Sequence, residues 1–243
     1  MGLSWGLELT DLDAARLVWV ALAHLEEAQV ATMRPILQDP EGVEEALRGF
    51  QLGARYLPQP AAEGYWMEFG WFQPPDAIWL DKRIPQVARH EWGEGVAETL
   101  ATYTAAHELV HLDDWLGGDR LLQSTFTHIL EAHQAELEAG LRFLEGEAWE
   151  GVEGLATLWA AQYVDLLAHY RAYYALRRLG LKGLDAVWSS LGDGYFPPSI
   201  LTHLEHHKGA DYIWSLLERE GCLVEVVDEI QRQGERLAHS YTV

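Results

Sequence analysis

The chain is short of cysteine, lysine and basic charge, and it lacks asparagine altogether. The single cysteine, Cys222, rules out an internal disulfide framework and reads as a small buried apolar residue rather than a reactive thiol. Lysine occurs only as Lys82, Lys182 and Lys208. Missing asparagine fits a thermophile-like composition, although arginine in place of lysine also follows from base composition. Lys plus Arg number 17 against 38 Asp plus Glu, a formal net charge of −21. Nucleic acid and anionic membrane surfaces repel such a chain, so neither is an expected partner. No apolar run reaches the ~20 residues of a transmembrane helix. The N-terminus lacks the basic region, apolar stretch and small-residue cleavage site of a signal peptide. The expectation is a cytoplasmic protein.

What is present is enough apolar material for a core. With 243 residues, 49% hydrophobic and 23% charged, the chain reads as a soluble globular protein, either one domain or a domain with a helical extension. A first helix is expected from about Asp11 to Ile36, ended by Pro35 and Pro40, and a short one from Glu44 to Phe50. Residues 51–85 change character. They carry Pro58, Pro60, Pro74, Pro75 and Pro85 and the β-prone runs Tyr65–Phe69 and Ile78–Leu80, so a small sheet of two to four strands is expected there. Beyond Glu94 the periodicity is helical. The resulting class is α+β, mainly α, divided as a core over 1–147 and a helical C-terminal part over 148–243.

One helical run carries chemistry: His107-Glu108-Leu109-Val110-His111. Residues four apart share a helix face, so His107 and His111 can present imidazole nitrogens to one point. Glu108 projects beside that point without having to be a ligand. Two neutral imidazoles and an adjacent carboxylate suit a zinc ion that activates water, with the carboxylate taking the proton. The surrounding run lacks internal proline and glycine. Val96, Leu100, Tyr103, Leu109 and Leu112 mark its apolar positions, and Gly117-Gly118 forms a C-terminal stop. The motif is therefore expected inside one buried helix of roughly 20 residues.

After the paired glycines, Asp119 is a good N-cap for a second amphipathic helix that holds Glu131, twenty positions after His111. A short turn makes the two helices antiparallel neighbours, and a carboxylate on the second can close the coordination shell while leaving one position for water. At these residues the chain resembles the gluzincin class of zinc peptidases, including thermolysin and the small minigluzincins. The resemblance implies a zincin-like core, His107, His111 and Glu131 as Zn²⁺ ligands and Glu108 as general base. It also implies that Ala77–Asp81 is an edge strand binding substrate backbone. It covers roughly residues 76–145.

The chain departs from that pattern in places. Where thermolysin-like enzymes place an acidic residue one turn after the ligand Glu, this chain has Ala135 with Glu136 beside it. Asp113 or Asp114 can take the supporting role behind an imidazole. His128, three before Glu131, is an alternative ligand, as are Glu136 and Glu138. For oxyanion stabilisation Tyr163, Tyr170, Tyr195 and His203 are candidates, set against the plainer reading of the Leu155–Leu179 aromatics as core. His203 and His207 are four apart but lack a third ligand at a matching spacing. The expected function is zinc-dependent hydrolysis of peptide bonds in a peptide or protein substrate. The alternative is a metal- or peptide-binding regulatory module without turnover. An intact Glu108 favours the enzyme, because a scaffold has no need of a base there.

Overall fold

The computed structural model describes residues 6–57, 69–117, 165, 167–190, 199–217 and 232. The chain divides into two compact units, one of Met1–Gly117 and Ala168–Ser199, the other of Gly118–Leu167 and Ile200–Val243. The described residues are mostly helical, with one small mixed sheet of three strands. No helix among them is long and apolar enough to cross a membrane.

In the first unit, α1 (Asp11–Val30) starts at a capping box. Thr10 Oγ1 accepts from the Asp13 amide at 3.2 Å, and the Asp13 carboxylate accepts from the Thr10 amide at 3.0 Å. The helix stops six residues short of the expected Ile36. Gln29 explains this: its side-chain oxygen accepts from the amides of Ile36 (2.8 Å) and Leu37 (2.6 Å), folding the segment back on the last turn. Pro35 also disfavours helical geometry at Arg34. The second helix, α2 (Pro40–Leu47), begins earlier than the expected Glu44 because Asp39 caps it and Pro40 fits its first turn.

The sheet lies where the composition changes. Strands β1 (Gln51–Arg55), β2 (Gly70–Gln73) and β3 (Ala77–Asp81) run in the order β1-β3-β2, with β1 parallel and β2 antiparallel to β3. Ile78 stands opposite both Leu52 and Phe72 in the register. Side chains alternate across a strand, so Ile78 and Leu80 enter the core while Trp79 turns away from it. On that other face the Arg55 guanidinium lies 4.4 Å over the Trp79 ring. The expectation of an edge strand at Ala77–Asp81 is overturned. β3 is the middle strand, paired on both sides, so it has no row of amides to offer a peptide.

A helix the periodicity did not suggest, α3 (Ile84–Trp92), follows β3. Pro85, counted with the prolines of the sheet segment, occupies the first turn of this helix, where its missing N–H costs nothing. Gly93 ends the helix at φ 88°, a backbone region open to glycine. Next comes α4 (Ala97–Leu116), the motif helix, 20 residues long with Gly117 as its C-cap. Every residue from Thr99 to Asp114 is buried. A helix covered on all sides is a core helix, and α4 packs against α1, α2, α3 and the β2 and β3 strands. The unit is completed by α5 (residues 167–178) and α6 (Leu184–Ser190). The aromatic stripe of α5 is core: Tyr170, Tyr173 and Tyr174 are buried, with Tyr173 stacked on Trp188 at 4.1 Å.

In the second unit, α7 (Ser199–Lys208) and α8 (Ala210–Leu217) meet at Gly209, with Leu201, Leu204, Ile213 and Trp214 buried.

Candidate metal centre

Tyr103, His107 and His111 stand four apart on α4 and form one stripe along the helix. His107 and His111 are 6% and 7% exposed. Their Nε2 atoms face each other at 3.0 Å, and the rings meet edge to face with centroids 4.5 Å apart. Two imidazoles on a tetrahedral zinc, each bonded at 2.0–2.1 Å, hold their nitrogens about 3.3 Å apart. The donors present therefore match that ion in type and nearly in spacing. Without an ion, one ring must donate its Nε2 proton to the other, which fixes opposite tautomers on two like residues.

Glu108 is buried beside the pair. Its neighbour from the sheet is the backbone of β2: a Cβ on Gly70 would run into Glu108 Oε1 and Thr104 Cγ2. Glycine at position 70 is what allows strand and carboxylate to lie this close.

Asp113 and Asp114 do not support the imidazoles. Asp113 accepts the amides of Gln38 (2.9 Å) and Asp39 (3.0 Å) and an Arg171 Nη2 donor at 2.6 Å. Asp114 accepts Arg171 Nη1 at 2.5 Å. Arg171 also donates from Nη2 and Nε to the Ile36 carbonyl, at 2.8 and 3.0 Å. Burial pushes the Asp113 carboxyl up, while Arg171 and the two amides draw it back. Burial also works against the Arg171 charge, but Asp114 and Asp113 outweigh it and hold the guanidinium above its usual range. Among the described residues, no group hydrogen-bonds Nδ1 of His107 or His111.

From α5, His169 reaches the stripe. Its Nδ1 lies 2.7 Å from the Tyr103 hydroxyl, and its ring centroid lies 4.0 Å from that of His107. In the sequence His169 stands in the aromatic stripe of Leu155–Leu179, whose plainer reading is core and whose alternative is a Tyr or His reaching the site. The signal that could have singled it out is its company: His169 and Arg171 are the two strongly polar residues in the run from Ala168 to Leu176, which is buried except at His169. Tyr170, a candidate for oxyanion stabilisation, is fully buried and packs on Tyr174 at 5.8 Å. Glu131, His128, Glu136, Glu138, Tyr163 and Tyr195 lie outside the described residues, as does the side chain of His203.

No protein-family model matches this chain, and no curated protein or solved structure shows significant similarity to it.

Proposed function

We propose that this protein is a zinc-dependent metallopeptidase with a zincin-like core, in which His107 and His111 hold the metal and Glu108 is the general base. The observation that carries the reading is the pair of buried Nε2 atoms 3.0 Å apart on one helix, with a buried carboxylate as the next residue. A structural helix gains little from such a set. Burying two imidazoles against each other is costly unless each is satisfied, and a bound cation satisfies both at once.

The third ligand is a carboxylate, since two imidazoles and one carboxylate leave a position for water. Glu131 is the residue the gluzincin resemblance assigns. Asp165, four residues before His169 in the chain, is the other candidate carboxylate. When bound, zinc lowers the pKa of a water ligand towards about 7 and polarises a carbonyl. The chain's own part is proton traffic and position. Glu108 accepts the proton from the attacking water and passes it to the leaving amine. Its carboxylate lies close against the Gly70 backbone, as does the Thr104 methyl. The strand that approaches Glu108 is β2, which moves the place of the substrate main chain from the β3 position expected from sequence to β2.

The test is hydrolysis of an unstructured protein substrate by wild type and Glu108→Gln, with zinc content measured on both. Glu108→Gln keeps its zinc and loses activity by about 10² or more. Loss of zinc, or full activity, in this variant contradicts the role.

A further inference from the structure

The geometry points to a function for His169 that rests on the metal reading above. Tyr103 and His169 form a hydrogen-bonded clamp that fixes the plane of the His107 imidazole, and His169 is a positioning residue for the metal. Three observations carry this. Tyr103 and His107 are one turn apart on the same stripe of α4, so a group lying across one can lie across the other. His169 does lie across both: its ring is nearly parallel to Tyr103 (17°, 5.8 Å between centroids) and tilted 37° over His107 at 4.0 Å. One end of His169 is anchored, because Nδ1 sits 2.7 Å from the Tyr103 hydroxyl, a group on a residue only 2% exposed.

The helix alone does not set the His107 ring. The outer torsion of histidine is broad and roughly two-fold, so the ring can turn to bring Cε1 instead of Nε2 towards His111. In metal sites this choice is made by a hydrogen bond on the other ring nitrogen. Here Asp113 and Asp114, which might have made it, are engaged by Arg171. A ring stacked over the face of His107 does the same task by packing. It blocks rotation out of the plane in which Nε2 meets its partner. His169 is not among the donor atoms that gather with those of His107 and His111. It therefore orients the ligand rather than joining the coordination shell. Arg171, two residues further along α5, ties the same helix to the end of α4 and keeps the clamp in register.

The test uses the full chain. Zinc affinity is measured by chelator competition, the visible spectrum is recorded with Co²⁺ in place of zinc, and thermal melting is followed by circular dichroism. The variants are Tyr103→Phe, His169→Phe, their double, and His169→Ala, with His107→Ala as control. Outer-sphere changes cost about 10–100-fold in metal affinity. Tyr103→Phe and His169→Phe should each weaken zinc about 10-fold, and the double no more than either alone, because the two act as one unit. His169→Ala, which removes the stack as well, should approach 100-fold. The Co²⁺ bands should shift in each variant while their intensity keeps the value of the wild-type coordination number. Three results overturn the clamp. One is a lowered melting temperature with unchanged metal affinity and spectrum, which marks a packing role alone. Another is loss of metal in His169→Phe as complete as in His107→Ala, which makes His169 a ligand. The third is strictly additive losses in the double variant. If wild type binds neither ion, the metal reading itself fails, and the clamp with it.

Discussion

Removing the Arg171 guanidinium should unfasten α5 from α4 at a cost that the structure allows to be estimated. Arg171→Leu deletes four short contacts: two to buried carboxylates at 2.5 and 2.6 Å and two to the Ile36 carbonyl. Asp113 and Asp114 are 0% and 4% exposed, so water cannot replace the lost partner. Breaking one side of a buried ion pair typically costs 3–5 kcal/mol. Asp113 keeps the amides of Gln38 and Asp39, which places the loss in the lower half of that range, about 3–4 kcal/mol. At about 2–4 °C per kcal/mol for a chain of this size, the melting temperature falls by about 6–16 °C. Acid should partly rescue the variant. Without Arg171, burial and the neighbouring Asp114 charge act on Asp113 against the two amides only, raising its carboxyl further above the unfolded value. A carboxyl raised in the folded state favours folding at low pH, and that contribution is lost as pH rises through its folded-state pKa. The gap to wild type must therefore narrow from pH 7 to pH 5. Urea unfolding followed by tryptophan fluorescence at both pH values measures it. The triple variant Arg171→Leu/Asp113→Asn/Asp114→Asn, which removes the stranded charges, should recover part of the loss at pH 7. A loss under about 1 kcal/mol, or a gap that widens on acidification, refutes the claim that Arg171 compensates two buried charges.

Two further outcomes follow from particular atoms. Gly70→Ala places a methyl against Glu108 Oε1 and Thr104, and the flexible carboxylate is what gives way. Hydrolysis should fall by about 10-fold or more while zinc content and melting temperature change little, since displacing a reacting group by about 1 Å can cost 10² in rate; undiminished hydrolysis contradicts the placement. Burial and a 2.7 Å hydrogen bond to Asp185 push the Tyr173 hydroxyl up to about 12 from 10.0. Its contribution to stability is complete below pH 10 and is lost as pH rises towards about 12. In thermal melts Tyr173→Phe should be less stable than wild type at pH 8, and the difference should shrink between pH 10 and 12; a constant difference across that window counts against the bond.

How much of this was legible in the sequence depends on which force decides each element. Local signals carried α4, because its apolar positions and the closing glycines act within the helix itself. The change of composition at 51–85 was also local, and three strands lie in that stretch. Boundaries failed where a distant side chain intervened. Gln29 ends α1 through amides seven and eight residues away. Pro85 belongs to the proline-rich sheet segment in the sequence, yet it opens α3 from within the first turn. The place of β3 in the middle of the sheet is a matter of topology, and its own five residues look the same at an edge or in the interior. At the candidate site, the i, i+4 spacing sufficed to bring His107 and His111 together. The carboxylates two and three residues later were expected behind the imidazoles. They went to Arg171, a residue separated from them by 57 and 58 positions, and no spacing rule anticipates such a partner. The same holds for His169, which meets Tyr103 across 66 positions.

The central claim is that His107 and His111 share a metal ion, and metal content tests it most directly. Protein purified without added chelator and dialysed against metal-free buffer is analysed by plasma mass spectrometry, beside His107→Ala, His111→Ala, Glu131→Gln and Asp165→Asn. The account predicts about one zinc per wild-type chain. It predicts near-complete loss in both histidine variants and a marked loss in only one of the two carboxylate variants, which names the third ligand. Wild-type protein that holds no zinc even after incubation with the ion, or histidine variants that retain it at wild-type stoichiometry, would contradict the account.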